Sequence, residues 1–200
     1  MKQKKENNIE IGKLLIDNKE YIYPALFYVA GLLLGSLIFN TINNTALSKL
    51  IEIVLKNSGS DFLAVFLNRF AIYLSIYALC VLLGMCLIGF PVINLVPLLL
   101  GCEIAIKIAY YYINFSVKGI GFSMLMIIPE GAAIATVIIY AIKTSTALSK
   151  NIYNIAAKGM NESINIKVFL KSYMINALIV VLIALMNALA SFLLGAIIKI

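Results

Sequence analysis

The chain has 200 residues, 62% of them hydrophobic and only 12% charged, with a mean hydropathy of +1.00. A soluble domain of this size cannot carry that much apolar side chain without exposing it to water, so composition alone gives an integral membrane protein with the lipid bilayer as its first partner. Sixteen Lys and Arg against nine Asp and Glu leave +7, but no basic stripe with interleaved aromatics accompanies the surplus, which excludes a nucleic-acid partner and makes the charge a report on orientation.

Histidine and tryptophan are absent. Without His the usual zinc sites and a His-based nucleophile triad cannot be built, so no catalytic residue, metal or cofactor is expected and the chain is read as not an enzyme. Cys80, Cys86 and Cys102 all fall in apolar runs, where packing and not a disulfide framework is the expected role.

In chain order, residues 1–20 are polar with mixed charge, and Ile11, Leu14 and Leu15 can form one side of a short surface helix. The first apolar run, 21–40, is longer than a signal-peptide core and reads as a retained span. Its Gly31 and Gly35 form a GxxxG pair that permits close approach of another helix, within the chain or in a homo-oligomer. Leu47, Leu50, Ile51 and Val54 recur at helical spacing beside Lys49, Glu52 and Lys56, which predicts an interfacial amphipathic helix over 46–57 on the outer side. Residues 57–61, NSGSD, read as a turn that launches a second span from about Phe62 or Arg69 to Ile88, with 69–88 as its membrane part, and Gly89-Phe90-Pro91 then reverses the chain.

A third span is expected at 92–115, with Gly101 as a packing glycine and Tyr110, Tyr111 and Tyr112 at the interface. The fourth, 120–142, is interrupted near its centre by Pro129-Glu130-Gly131, and the pattern predicts a helix broken there. A cytoplasmic loop follows at 143–171, with KGMNES at 158–163 as a turn between two surface helices. The fifth span, 172–198, carries Asn176 and Asn187 and the small-residue pair Ala184 and Ala188. The predicted fold class is therefore all-α: a single polytopic domain of five transmembrane helices, the fourth broken, with short interfacial helices.

Counting Lys and Arg orients this arrangement. The side bearing the N-terminus carries ten and the opposite side five, namely Lys49, Lys56, Arg69, Lys118 and Lys199. The N-terminus and the 143–171 segment are accordingly placed in the cytoplasm and the C-terminus outside.

Three charges lie within the expected spans. Glu103 and Lys107 have the order and spacing of an ion pair on one helix face, and Lys107 can also extend along its alkyl stem toward water. Glu130 has no such neighbour in sequence. If spans three and four form an antiparallel hairpin, the midpoint between Glu103 and Glu130 falls at Ser116 and Val117, which puts both carboxyls at one depth. Two carboxyls and one ammonium would then leave one carboxyl without a cation, a cluster suited either to neutralised packing or to passing protons, binding a cation or receiving substrate.

The ordered features resemble the stage II sporulation protein M family of bacterial membrane proteins. The resemblance runs through Gly31-Leu-Leu-Leu-Gly35 with Asn40, Asn68 ahead of the second span, Gly89-Phe90-Pro91, Leu100-Gly101 and Ile127-Ile128-Pro129-Glu130-Gly131, and it covers about residues 20 to 145. Glu130 stands where the family commonly has His or Gln, and Leu100 where it often has Lys or Asn, so Glu103, Lys107 and Glu130 are largely this chain's own. The resemblance implies a membrane scaffold that joins cell-wall hydrolases during sporulation engulfment. For other members it implies a component of bacteriocin maturation, export or self-immunity, with an ATP-binding export subunit and the bacteriocin as partners.

Overall fold

The computed structural model describes residues 19–41, 62–158 and 165–197. The expected surface helix before residue 19, the interfacial helix at 46–57, the turn at 57–61 and most of the turn at 158–163 lie outside the described residues.

In chain order the elements are α1 (Lys19–Thr41), α2 (Phe62–Met85), a short α3 (Gly89–Val92) continued by a 3-10 turn (Ile93–Leu95), α4 (Val96–Phe122), a π-helical turn (Ser123–Ile127), α5 (Ile128–Lys158) and α6 (Ile166–Ile197). Among the described residues there is no strand. Four stretches are long and apolar enough to cross a membrane: Glu20–Thr41, Phe62–Met85, Gly89–Ala157 and Ile166–Phe192. Such stretches are compatible with a multi-pass membrane protein, and large apolar side chains such as Leu33 at 64% and Leu178 at 64% exposure point outward, as they do where lipid is the solvent.

The Gly89–Ala157 stretch has 69 residues, which as a straight helix would be roughly 100 Å long and about three bilayer cores thick. It is not straight. Ser116, at φ 49° and ψ −123°, leaves helical geometry, the one positive-φ residue other than glycine among those described. Beyond it the chain folds back: the Phe122 ring packs 4.6 Å from that of Tyr111, and Gly131 lies against Ile104.

Three expectations need correction. Of the two starts open for the second helix the structure has Phe62 and not Arg69, because the apolar run FLAVFL preceding Asn68 is already long enough to enter the span, and the helix ends at Met85, short of Ile88. That moves Arg69 from the membrane edge to the second turn of α2. Nor does the helix open at Pro129-Glu130-Gly131, which lie in the first turn of α5. The departure comes one turn earlier, in the π-helical turn: proline has no N–H for the carbonyl four residues before it, and a wider turn there accommodates its ring.

In 143–171, where two surface helices about a turn are expected, α5 runs on as one helix through 143–158 and packs into the bundle instead of lying on the surface. Ser145 and Ser149 of this stretch face inward and are bonded. Ser149 is fully buried, donates to the Cys86 carbonyl at 2.7 Å and accepts from the Phe90 N–H at 3.1 Å, tying the end of α5 to the link between α2 and α3. Ser145, also fully buried, sits against Gly84 and shares a 2.9 Å hydrogen bond with the Tyr173 hydroxyl, while Tyr77 donates to the Tyr173 carbonyl at 2.7 Å. At the same end of the bundle, Lys143 donates to the Tyr21 hydroxyl at 2.7 Å, joining α5 to the start of α1.

Helix α1 packs chiefly on α4. Its Gly31 and Gly35 meet Leu98 and Cys102, and Gly101 of α4 meets Tyr28 and Leu32, so three glycines bring two backbones into direct contact. On the other side α2, α5 and α6 pack together around Cys80, Ile138, Ala141, Val180 and Ala184, all fully buried. Ala188 is fully buried as well.

Candidate functional site: a buried charge cluster beside a lateral groove

Glu103 and Lys107 form the expected ion pair on one face of α4. Lys107 is 5% exposed, so it is buried among the helices and does not extend toward water. Glu103 also acts electrostatically on Tyr28 of α1. The acid of this pair therefore faces the side of α4 on which α1 is laid.

Glu130 lies at nearly the same depth, since its neighbour Gly131 touches Ile104 and Ile104 follows Glu103 in the chain. Equal depth does not make the two carboxyls face one another. The groups acting on Glu130 are Arg69 of α2 and Asn187 of α6. Arg69, 9% exposed, acts electrostatically on Lys107 as well. The groups that act on Glu130 are therefore Arg69 and Asn187, and not the Glu103–Lys107 pair with which the sequence groups it.

Hydrogen bonding within this cluster is incomplete. Asn187 is 5% exposed, and its orientation is set by the Ser191 hydroxyl, which donates to Oδ1 at 3.2 Å. Its Nδ2 is left without a partner, as are Glu130 Oε1 and one terminal nitrogen of Arg69. Asn187 acts on Glu130 as a polar side-chain neighbour, although its Nδ2 and Glu130 Oε1 have no hydrogen-bond partner.

Both also line a groove of about 350 Å³ between the start of α5 and α6. Leu125, Pro129 and Ala133 form one wall, and Leu182, Met186 and Ala190 form the other. Leu125, Leu182 and Met186 are all more than half exposed, so the groove opens sideways from the bundle. It is in the low part of the size range of small-molecule pockets and is almost entirely apolar apart from the two polar groups at its floor.

Comparison of the chain with protein-family models, with curated proteins and with solved structures finds no match. The site rests on its own geometry.

Sequence reasoning missed Arg69, which it counted among the outer-side charges. The signal was present: six apolar residues, Phe62 to Leu67, precede Asn68, so a span starting at Phe62 carries Arg69 inside. Asn187 reads in the sequence only as a polar residue of the last span, and nothing there pairs it with Glu130.

Proposed function

We infer that this is a non-enzymatic bacterial membrane protein with five spans, N-terminus in the cytoplasm, which acts as a scaffold that gathers other membrane proteins into one complex. Five spans follow if the reversal at Ser116 divides the Gly89–Ala157 stretch into two crossings. Antiparallel neighbours support that count: Phe62 at the start of α2 meets Phe192 near the end of α6 with ring centroids 6.5 Å apart, and Tyr77 near the end of α2 bonds Tyr173 near the start of α6. With Arg69 inside the bundle, the outer side loses one of its basic residues and the bias toward a cytoplasmic N-terminus grows.

The observation that carries the scaffold reading is the balance of charge. Glu103 is paired with Lys107, and Arg69 of α2 acts electrostatically on Glu130, so two acids are matched in number by two bases across three helices and the group carries no net charge. A scaffold needs surfaces and no chemistry, and the apolar outer faces of α1, α2 and α6 supply them. The resemblance to the stage II sporulation protein M family supplies the setting, cell-wall remodelling around the engulfed forespore. A deletion strain tests this: loss of engulfment supports the scaffold, whereas normal engulfment contradicts it.

A second reading draws on the sideways opening of the groove beside Glu130. A membrane component of bacteriocin maturation, export or self-immunity would use a site reached from the bilayer, and its deletion would abolish peptide secretion or immunity and leave engulfment intact.

Topology is checked by single-cysteine labelling in a background where Cys80, Cys86 and Cys102 are replaced. Lys5→Cys and Lys158→Cys are expected to react only from the cytoplasmic side and Asn57→Cys only from outside. Labelling of position 158 from outside would overturn the five-span arrangement.

A further inference from the structure

The groove between α5 and α6 has a specific polar content. Its walls run from Leu125 to Ala133 and from Leu182 to Ala190, each roughly 12 Å long or about two helical turns. Ala133 and Ala190 leave room at its sides, as small residues do where helices approach closely. At its floor are one unpartnered acceptor, Glu130 Oε1, and one unpartnered donor, Asn187 Nδ2. In hydrocarbon no water completes such groups, and each one left unmet is costly.

What completes them is limited by chemistry. A second carboxylate would be repelled by Glu130, and a second cation would enter beside Arg69 and Lys107. An acyl chain would fill the apolar walls and leave both polar atoms unmet. A side-chain carboxamide carries an N–H₂ for Glu130 and a carbonyl for Asn187 without adding charge. Glu130 lies midway along the span proposed at 120–142, a depth that lipid headgroups do not reach, so the carboxamide has to arrive on an element that is itself in the membrane.

We propose that the groove seats a transmembrane helix of a partner protein that presents an Asn or Gln side chain at mid-membrane. This deepens the scaffold reading by naming the kind of partner and its docking face, and it rests on that reading for its biological setting. Binding measured with the purified full chain is independent of the deletion phenotype, so either can fail while the other stands.

The test uses the full chain in phosphatidylcholine vesicles with leucine-based transmembrane peptides, one carrying a central Asn and one all-Leu, association being read by energy transfer. The Asn peptide is expected to bind about 5- to 30-fold more tightly than the all-Leu peptide, the range that interhelical polar contacts support. Ala190→Trp, which fills the groove from its open side, and Asn187→Leu, which removes the donor, are each expected to abolish the difference. Ala190→Trp leaves the charge cluster intact, so its melting temperature should match the native chain's and its loss of binding reads occupancy alone. Equal binding of the two peptides would overturn the proposal. So would an undiminished preference in the Ala190→Trp protein, or tighter binding of a peptide with a central Lys.

Discussion

Replacing Gly101 with leucine is expected to force α1 away from α4 and to destabilise the protein in detergent micelles by at least about 3 kcal/mol, the upper part of the range for overpacking. The reason is geometric. A Cβ at Gly101 would come within 2.9 Å of the Leu32 backbone nitrogen, and one at Gly35 would be 2.6 Å from the Cys102 carbonyl oxygen. Backbone cannot rotate out of the way as a side chain can, so the helices must separate and lose the contact along its whole length. Gly121 is the control, since a Cβ there meets nothing within 4 Å. Gly121→Ala should leave stability unchanged or raise it by up to about 1 kcal/mol through helix propensity. If Gly31 and Gly35 instead formed a contact between copies of the chain, their replacement would change oligomeric state at constant melting temperature; the intramolecular packing predicts the opposite.

The second large effect is expected at Glu130. Glu130→Leu leaves Arg69 and Lys107 with Glu103 as the one remaining acid of the cluster, and an arginine in hydrocarbon cannot shed its proton. Leaving a buried charge uncompensated costs about 3–5 kcal/mol where the two charges are in contact, and a smaller destabilisation is expected at the longer range of Arg69 and Glu130. Arg69→Leu should cost less, because the stranded Glu130 can take up a proton and the repulsion between Arg69 and Lys107 is relieved. The double variant Arg69→Leu/Glu130→Leu removes both charges and should recover most of the lost stability. A double-mutant cycle followed by reversible unfolding reads the coupling directly, and additive single effects would show that the two charges do not depend on one another.

Much of the architecture is legible in the sequence, because apolar runs of span length are a strong signal and their positions are set by composition alone. The pivot of the hairpin was recoverable from the symmetry of Glu103 and Glu130 about Ser116, a relation that needs only helical rise. Facing was not recoverable in the same way. Whether Glu130 looks toward Glu103 or toward α6 depends on its rotation about the helix axis, and the π-helical turn over Ser123–Ile127 alters that rotation just before Glu130. The extension of α5 through 143–158 was hidden for a different reason: Ser145 and Ser149 read as solvated residues, and only the partners brought by Cys86, Phe90 and Tyr173 make them interior ones. Arg69 is hard to place from sequence because a basic residue near the start of a span usually marks its edge, and here α2 carries it into the bundle.

On the proposed scaffold reading, the buried charges of α2, α4 and α5 hold the bundle together and do not conduct. Complementation of a deletion strain by Arg69→Leu/Glu130→Leu tests this, because the double variant removes one acid together with one base, leaves Glu103 paired with Lys107 and takes away a buried carboxyl that could cycle a proton. With the protein shown by immunoblot to be present in the membrane, the proposed reading predicts that the strain's engulfment is restored. Protein present at normal abundance with function lost would contradict it, and would assign Glu130 to a transport step.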